Sequence, residues 1–99
     1  MSMSLVVRYP DKVENEIADE QLRQIRKFGL QNHHPFVYLA ILTEEVGEAA
    51  QAAVDTFFPK TPDAREQELK HLREELIQVA AVAKSFVECL DRAEWRENV

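Results

Sequence analysis

Glu44, Glu45 and Glu48 stand in the stretch EEVGEAA, and further along Glu74, Glu75 and Gln78 repeat the spacing in EELIQVA, with an amide in the last place. On a helix, residues three and four apart are surface neighbours. Glu44 and Glu48 are thus like-charged one turn apart, which costs a few tenths of a kcal/mol in an isolated helix, and no Lys or Arg lies between residues 36 and 58 to relieve them. Two chemistries suit such a pattern. One is a solvated helix face, since Glu is a good helix former. The other is a divalent cation: a hard ion such as Mg²⁺ takes oxygen ligands, keeps several waters and is held by a few carboxylates together with substrate phosphates. A cation held this way lets an acidic chain handle an anionic substrate.

The elements that must position these acids are readable from punctuation and periodicity. An N-terminal arm is expected over residues 1–10, because the residue before Pro10 is disfavoured in a helix and Asp11 can cap a helix starting beside it. A single helical domain then covers 11–99. Its first helix carries Val13, Ile17, Leu22, Ile25 and Phe28 at helical spacing and stops at Gly29. The loop GLQNHHP leads to a second helix over 36–58 with the seam Leu39, Leu42, Val46, Ala49, Ala53 and Phe57. Pro59 and Pro62 interrupt it, and Asp63 can cap a third helix reaching about residue 91 with the seam Leu69, Leu72, Leu76, Val79, Ala83, Phe86 and Leu90. Trp95 sits in a charged tail that reads as a last helical turn or a packing arm. The expected fold is all-α and bundle-like: an antiparallel helical hairpin plus a first helix.

Phase places the acids. At about 100° per residue, with Leu42 at the seam centre, Glu45 lies about 60° and Glu48 about 120° to one side, and Glu44 farther round. With Leu72 as centre, Glu75 and Gln78 take the matching phases, and His71 shares their flank. Two helices thus each present an acid-rich row beside a seam, and in a hairpin those rows can face one another.

Composition narrows the partners. At 99 residues the chain is one small domain with a thin core, so association would help bury its surface. A formal charge of -6 argues against a footprint for duplex nucleic acid. Cys89 is alone, which excludes an internal disulfide, and no apolar run approaches the roughly 20 residues that span a bilayer. With too short an apolar run at its start for a signal peptide, the chain is expected to be cytoplasmic.

The paired elements Glu44-Glu45-x-x-Glu48 and Glu75-x-x-Gln78, with the loop Lys27-Phe28-Gly29-Leu30-Gln31-Asn32-His33 before them, resemble the MazG-like all-α nucleoside triphosphate pyrophosphohydrolases over residues 24 to 90. The resemblance implies hydrolysis of a (d)NTP between its α- and β-phosphates, giving a nucleoside monophosphate and pyrophosphate, with Mg²⁺ or Mn²⁺ as cofactor. Its role would be house-cleaning or control of dNTP levels. By position it implies Glu45, Glu48, Glu75 and Gln78 as metal ligands, and Glu44 with Glu45 as catalytic groups, Glu44 as a further ligand or the group that orients water. It also implies a homodimer or homotetramer, a four-helix-bundle type core being completed through oligomerisation. Gln78 departs from the pattern, which has Asp there. An amide oxygen still reaches Mg²⁺, but the site loses one negative charge and holds the cation less tightly.

Substrate contacts are expected from Lys27, Gln31, Asn32, His33 and Lys84, the cations offsetting phosphate charge and the loop groups meeting phosphate or base. Each has a blander reading as a solvated loop or surface cation. Phe36, Tyr38 and Trp95 can stack on a base or pack internally. The rival to an enzyme is a non-catalytic helical module that binds nucleotides or serves oligomerisation.

Overall fold

The punctuation residues act largely as their chemistry dictates. In the computed structural model, which describes residues 10–98, α1 spans Pro10–Phe28, α2 Pro35–Phe57 and α3 Arg65–Arg92, followed by a 3₁₀ turn at Glu94–Asn98. No strand occurs among the described residues. Of the expected N-terminal arm, only Pro10 falls within them, and it opens α1, as its fixed φ favours. Asp11 consequently lies inside the first turn, where it complements the helix dipole instead of capping it. Gly29 closes α1 at φ +79°, a left-handed conformation that side chains resist, with its N–H on the Ile25 carbonyl at 2.7 Å.

His34 caps α2. Its Nδ1 accepts the Phe36 N–H at 3.1 Å, and Pro35 occupies the first turn, where a missing N–H costs nothing. The cap expected of Asp63 is corrected: the N-cap of α3 is Ala64, with no side-chain hydrogen bond. The Ala64 N–H is drawn back onto the Thr61 carbonyl at 3.2 Å, so the loop turns once more before the helix starts. Glu66 and Glu68 then supply negative charge to its first turn. At the far end Ala93 adopts φ +60° and its N–H bonds the Cys89 and Leu90 carbonyls, both at 3.2 Å.

α3 is the central element and packs on both α1 and α2. Its contacts with α2 run in opposite order along the two chains: Arg65 donates to the Thr56 carbonyl, Phe86 meets Tyr38, and Cys89 lies near His33. The hairpin is therefore antiparallel. α1 runs alongside α3 in the same direction, Glu16 meeting Arg73 and Gln21 meeting Ser85 and Glu88. Tyr38, Val82 and Cys89 form the core, with Ile41, Leu42, Phe86 and Trp95 packed against it.

The expected seams need correction in phase. In α2 the buried residues are Tyr38, Ala49, Ala52 and Thr56, while Leu39, Val46 and Phe57 are exposed. In α3 they are Glu75, Ala81, Val82 and Cys89, while Leu69, Leu76 and Leu90 are exposed. Both inward faces are thus turned toward the acid flank, by about 45° from Leu42 in α2 and by about 105° from Leu72 in α3. Ala49, Leu42 and Phe86 of the expected seams do turn inward; small residues at 49, 52 and 81 allow close helix approach, and Leu39, Leu69, Leu76 and Leu90 remain outside. Phe36 also stays exposed, stacked on His34 with ring centroids 5.2 Å apart.

Candidate metal and ligand site

That rotation carries Glu75 and, in part, Glu45 inward. Glu75 is buried, Glu45 half-buried and Glu48 exposed, and one oxygen from each lies within 4.8 Å of the others. Glu45 Oε2 and Glu75 Oε2 are enclosed without a hydrogen-bond partner, a condition that costs about 1–3 kcal/mol per group. Two unit charges at that separation repel by about 3 kcal/mol at an effective dielectric near 20. Burial, then Glu48 and Glu75, pushes the Glu45 carboxyl above its ordinary range; burial, then Glu48, does the same to Glu75. Among the described residues no Lys or Arg is ion-paired with any of the three. His71 Nε2 stands 3.6 Å from Glu75 Oε1. An all-oxygen donor set with two enclosed, partnerless oxygens fits a hard divalent cation.

Glu44 lies exposed beside this cluster and outside it. Gln78 lines, together with Glu45, a cavity of about 500 Å³ that runs between α1 and α2 over a floor of α3. Glu45 and Gln78, the loop residues Gly29, Leu30, Gln31 and His33, and Arg92 all contribute to its lining. Size and mixed lining are those of a small-molecule site. Tyr38, Ile41 and Val82 supply apolar wall, and Arg23, Lys27 and Arg92 supply positive charge.

The residues expected to touch substrate are divided by the fold. Lys27, Gln31 and His33 line the cavity. Lys27 Nζ lies 5.1 Å from the Phe28 ring centre, and His33 meets Tyr38 edge-on at 5.2 Å. Gln31 Nε2 is occupied by the Phe28 and Gly29 carbonyls at 2.6 and 3.3 Å, stiffening the loop. Asn32 and Lys84 are not on the lining. Asn32 ties the loop to the end of α3, its Oδ1 accepting from Arg92 Nε and Nη2 and its Nδ2 donating to Glu94. Lys84 stands behind the wall, donating to Gln21 Oε1 at 2.5 Å and Glu88 Oε2 at 3.0 Å.

Several lining residues were not singled out in the sequence. Arg23 sits one turn before Lys27 on the same face, a spacing that could have revealed it; its guanidinium holds Glu20 at 2.8 and 2.7 Å. Arg92, Gln21, Ser85 and Glu88 reach the cavity only through the packing of α1 on α3, which no local pattern encodes. No helix of the described residues is long and apolar enough to cross a membrane. Comparison with known family models, curated proteins and solved structures gave no match.

Proposed function

We propose that the chain is a Mg²⁺-dependent nucleotide pyrophosphohydrolase of the MazG-like kind, converting a nucleoside triphosphate to the monophosphate and pyrophosphate. The observation that carries this reading is the pair of enclosed, partnerless oxygens of Glu45 and Glu75, grouped with Glu48, with Glu45 also lining a nucleoside-sized cavity. Glu45, Glu48 and Glu75 hold the metal, with the Gln78 amide oxygen nearby as a neutral donor. When bound, Mg²⁺ neutralises phosphate oxygens and favours ionisation of water. Glu44, exposed at the edge of the cluster, orients water and accepts its proton. Arg23 and Lys27 offset phosphate charge along the α1 wall, and Tyr38 and Ile41 give the base an apolar surface.

The test is pyrophosphate release from a panel of standard and modified nucleoside triphosphates with Mg²⁺. The reading predicts release from at least one of them and none with a chelator present. Failure with every triphosphate would overturn the enzyme reading and leave a non-catalytic helical module for nucleotide binding or oligomerisation. Gln78→Asp gives a graded check. By adding the missing charge it should lower the Mg²⁺ concentration for half-maximal activity by about tenfold, the equivalent of roughly 1.4 kcal/mol. An unchanged Mg²⁺ requirement would remove position 78 from the metal site.

The active form is a homodimer or a higher homo-oligomer. Exposed Leu39 and Val46 on α2, and Leu69, Leu76 and Leu90 on α3, recur at multiples of seven residues and leave an apolar stripe along the outside of the hairpin. Such a stripe suits packing against its own copy, which would complete a four-helix core. Leu76→Glu should shift the protein from dimer or larger to monomer in analytical ultracentrifugation. A wild type that already sediments as a monomer at micromolar concentration contradicts this.

A further inference from the structure

Tyr38 lines the cavity from α2 and is 5% exposed. Its ring is engaged within the fold, one face stacked on Phe86 and His33 meeting it edge-on. Its hydroxyl is left over. Among the described residues the oxygen has no hydrogen-bond partner, and unlike the orphaned oxygens of Glu45 and Glu75 it is not sealed from solvent. Buried polar groups are almost always hydrogen-bonded, to protein, to water or to a ligand. On a side chain that lines a cavity, a hydroxyl in this state opens toward what the cavity holds.

The polar groups within electrostatic reach of that hydroxyl are Cys89, Arg92 and Glu88, and each is committed elsewhere. Glu88 takes Gln21 Nε2 on one oxygen and Lys84 Nζ on the other. Arg92 directs Nε and Nη2 at Asn32 and Gln31. The Cys89 thiol donates toward Asn32 Oδ1 and the His33 carbonyl. These bonds fix the wall around the hydroxyl without engaging it. Burial, then Cys89, holds the phenol above its ordinary pKa range. The group is therefore an uncharged hydroxyl at neutral pH, able to donate one hydrogen bond and to accept.

Tyr38 stands two turns before Glu45 on α2, about 10 Å along the helix axis. With the phosphates of a nucleotide on a metal at Glu45, the part of the ligand that extends two turns along the helix is the nucleoside. Ile41, one turn from Tyr38 and also on the lining, gives it apolar surface on the way. A hydroxyl that both donates and accepts can meet a ring nitrogen, a carbonyl, an amino group or a sugar hydroxyl. The contact thus holds a nucleoside without selecting its base.

We infer that the Tyr38 hydroxyl is a hydrogen-bonding contact for the nucleoside of the bound nucleotide. This rests on the reading of the cavity as a nucleotide site, and adds to it a residue by which the nucleoside is held. Tyr38 is a binding residue remote from the reacting phosphates, so its loss raises KM and leaves kcat nearly unchanged.

The test is calorimetric titration of the full chain with AMP, CMP, GMP and UMP in the presence of Mg²⁺. The wild type should bind at least one of them. Tyr38→Phe, which keeps the ring and its stacking, should bind that monophosphate about tenfold more weakly, the scale of one hydrogen bond left unmade at a buried group. Its melting temperature without ligand should stay within a few degrees of wild type, whereas a merely structural hydroxyl would move the melt and leave the affinity alone. Tyr9→Phe protein, in which Tyr38 is the single tyrosine, gives a reading that does not depend on the stability of Tyr38→Phe. In it the magnetic resonance signal of the isotope-labelled ring carbon that bears the hydroxyl should move on adding the monophosphate. Wild-type affinity in Tyr38→Phe, or a ring-carbon signal that stays in place at saturation, overturns the role of Tyr38 alone. Absence of binding by all four monophosphates overturns the nucleotide reading of the cavity and this inference with it.

Discussion

Glu45→Gln is expected to lower pyrophosphate release by roughly two to three orders of magnitude, the range seen when one preorganised electrostatic group is removed, while making the metal-free protein more stable. Both effects come from one position. Glu45 carries an enclosed, partnerless oxygen within 4.8 Å of two other carboxylates, a favourable arrangement for a cation and an unfavourable one for three anions. An amide keeps the shape and removes the charge. Near neutral pH the metal-free variant should melt higher by about 4–8 °C, the shift that 1 kcal/mol produces in a domain of this size.

The same electrostatics gives the pH dependence a definite sign. Glu45 and Glu75 have folded-state pKa values raised by burial, so the stability associated with their protonated forms is present at low pH and is lost as pH rises through those values. Glu16, Glu20 and Glu88 behave oppositely. Arg73, Arg23 and Lys84 hold them below the ordinary carboxylate range, and their contribution is lost as pH falls through the depressed values. The metal-free fold should therefore be most stable in mildly acidic solution. Mg²⁺ should restore stability at neutral pH in the wild type and fail to do so in Glu45→Gln. Thermal melts across pH, with and without Mg²⁺, read both effects, and a Glu45→Gln protein with the wild-type pH profile would contradict the assignment.

Tyr38→Ala should give the largest loss of stability. Tyr38 is 5% exposed and stacks on Phe86 with ring centroids 5.0 Å apart and planes 7° from parallel. It is also the ring against which His33 and the loop rest. Truncating a buried aromatic residue to Ala costs about 3–5 kcal/mol, against a total of about 5–15 kcal/mol for a typical domain. The expected fall in melting temperature is on the order of 20 °C, measured at fixed protein concentration. Tyr38→Phe keeps the stacked ring and should lose far less. A Tyr38→Ala protein melting within a few degrees of wild type would mean that this stack does not hold the cavity end together.

Helix existence was legible because it is written locally. Gly29 with its positive φ, Pro35 behind the His34 cap, and the prolines at 59 and 62 mark boundaries by backbone chemistry alone. Phase was not, since α2 and α3 each carry apolar residues on two flanks. Periodicity found the flank with the larger side chains, Leu39, Val46, Leu69 and Leu76. Of the expected seams only part turns inward: Ala49 is buried and Leu42 and Phe86 pack on the core, while Ala52 and Ala81 beside them let α3 approach its neighbours closely. The acid rows were visible as a repeated spacing, and the fold buries Glu75 and half-buries Glu45 while Glu44 and Glu48 stay exposed. The polar wall around Gln21 was not visible, because its partners lie more than sixty residues away in sequence.

The central claim, that Glu45, Glu48 and Glu75 form a divalent-cation site, is tested most directly by counting bound metal. Mn²⁺, whose free form is observed by electron paramagnetic resonance, should bind the wild type saturably and be displaced by Mg²⁺. Glu45→Gln and the exposed Glu48→Ala should each weaken that binding by tenfold or more. Wild-type protein that leaves Mn²⁺ free at millimolar concentration, or variants that bind it as the wild type does, would contradict the account.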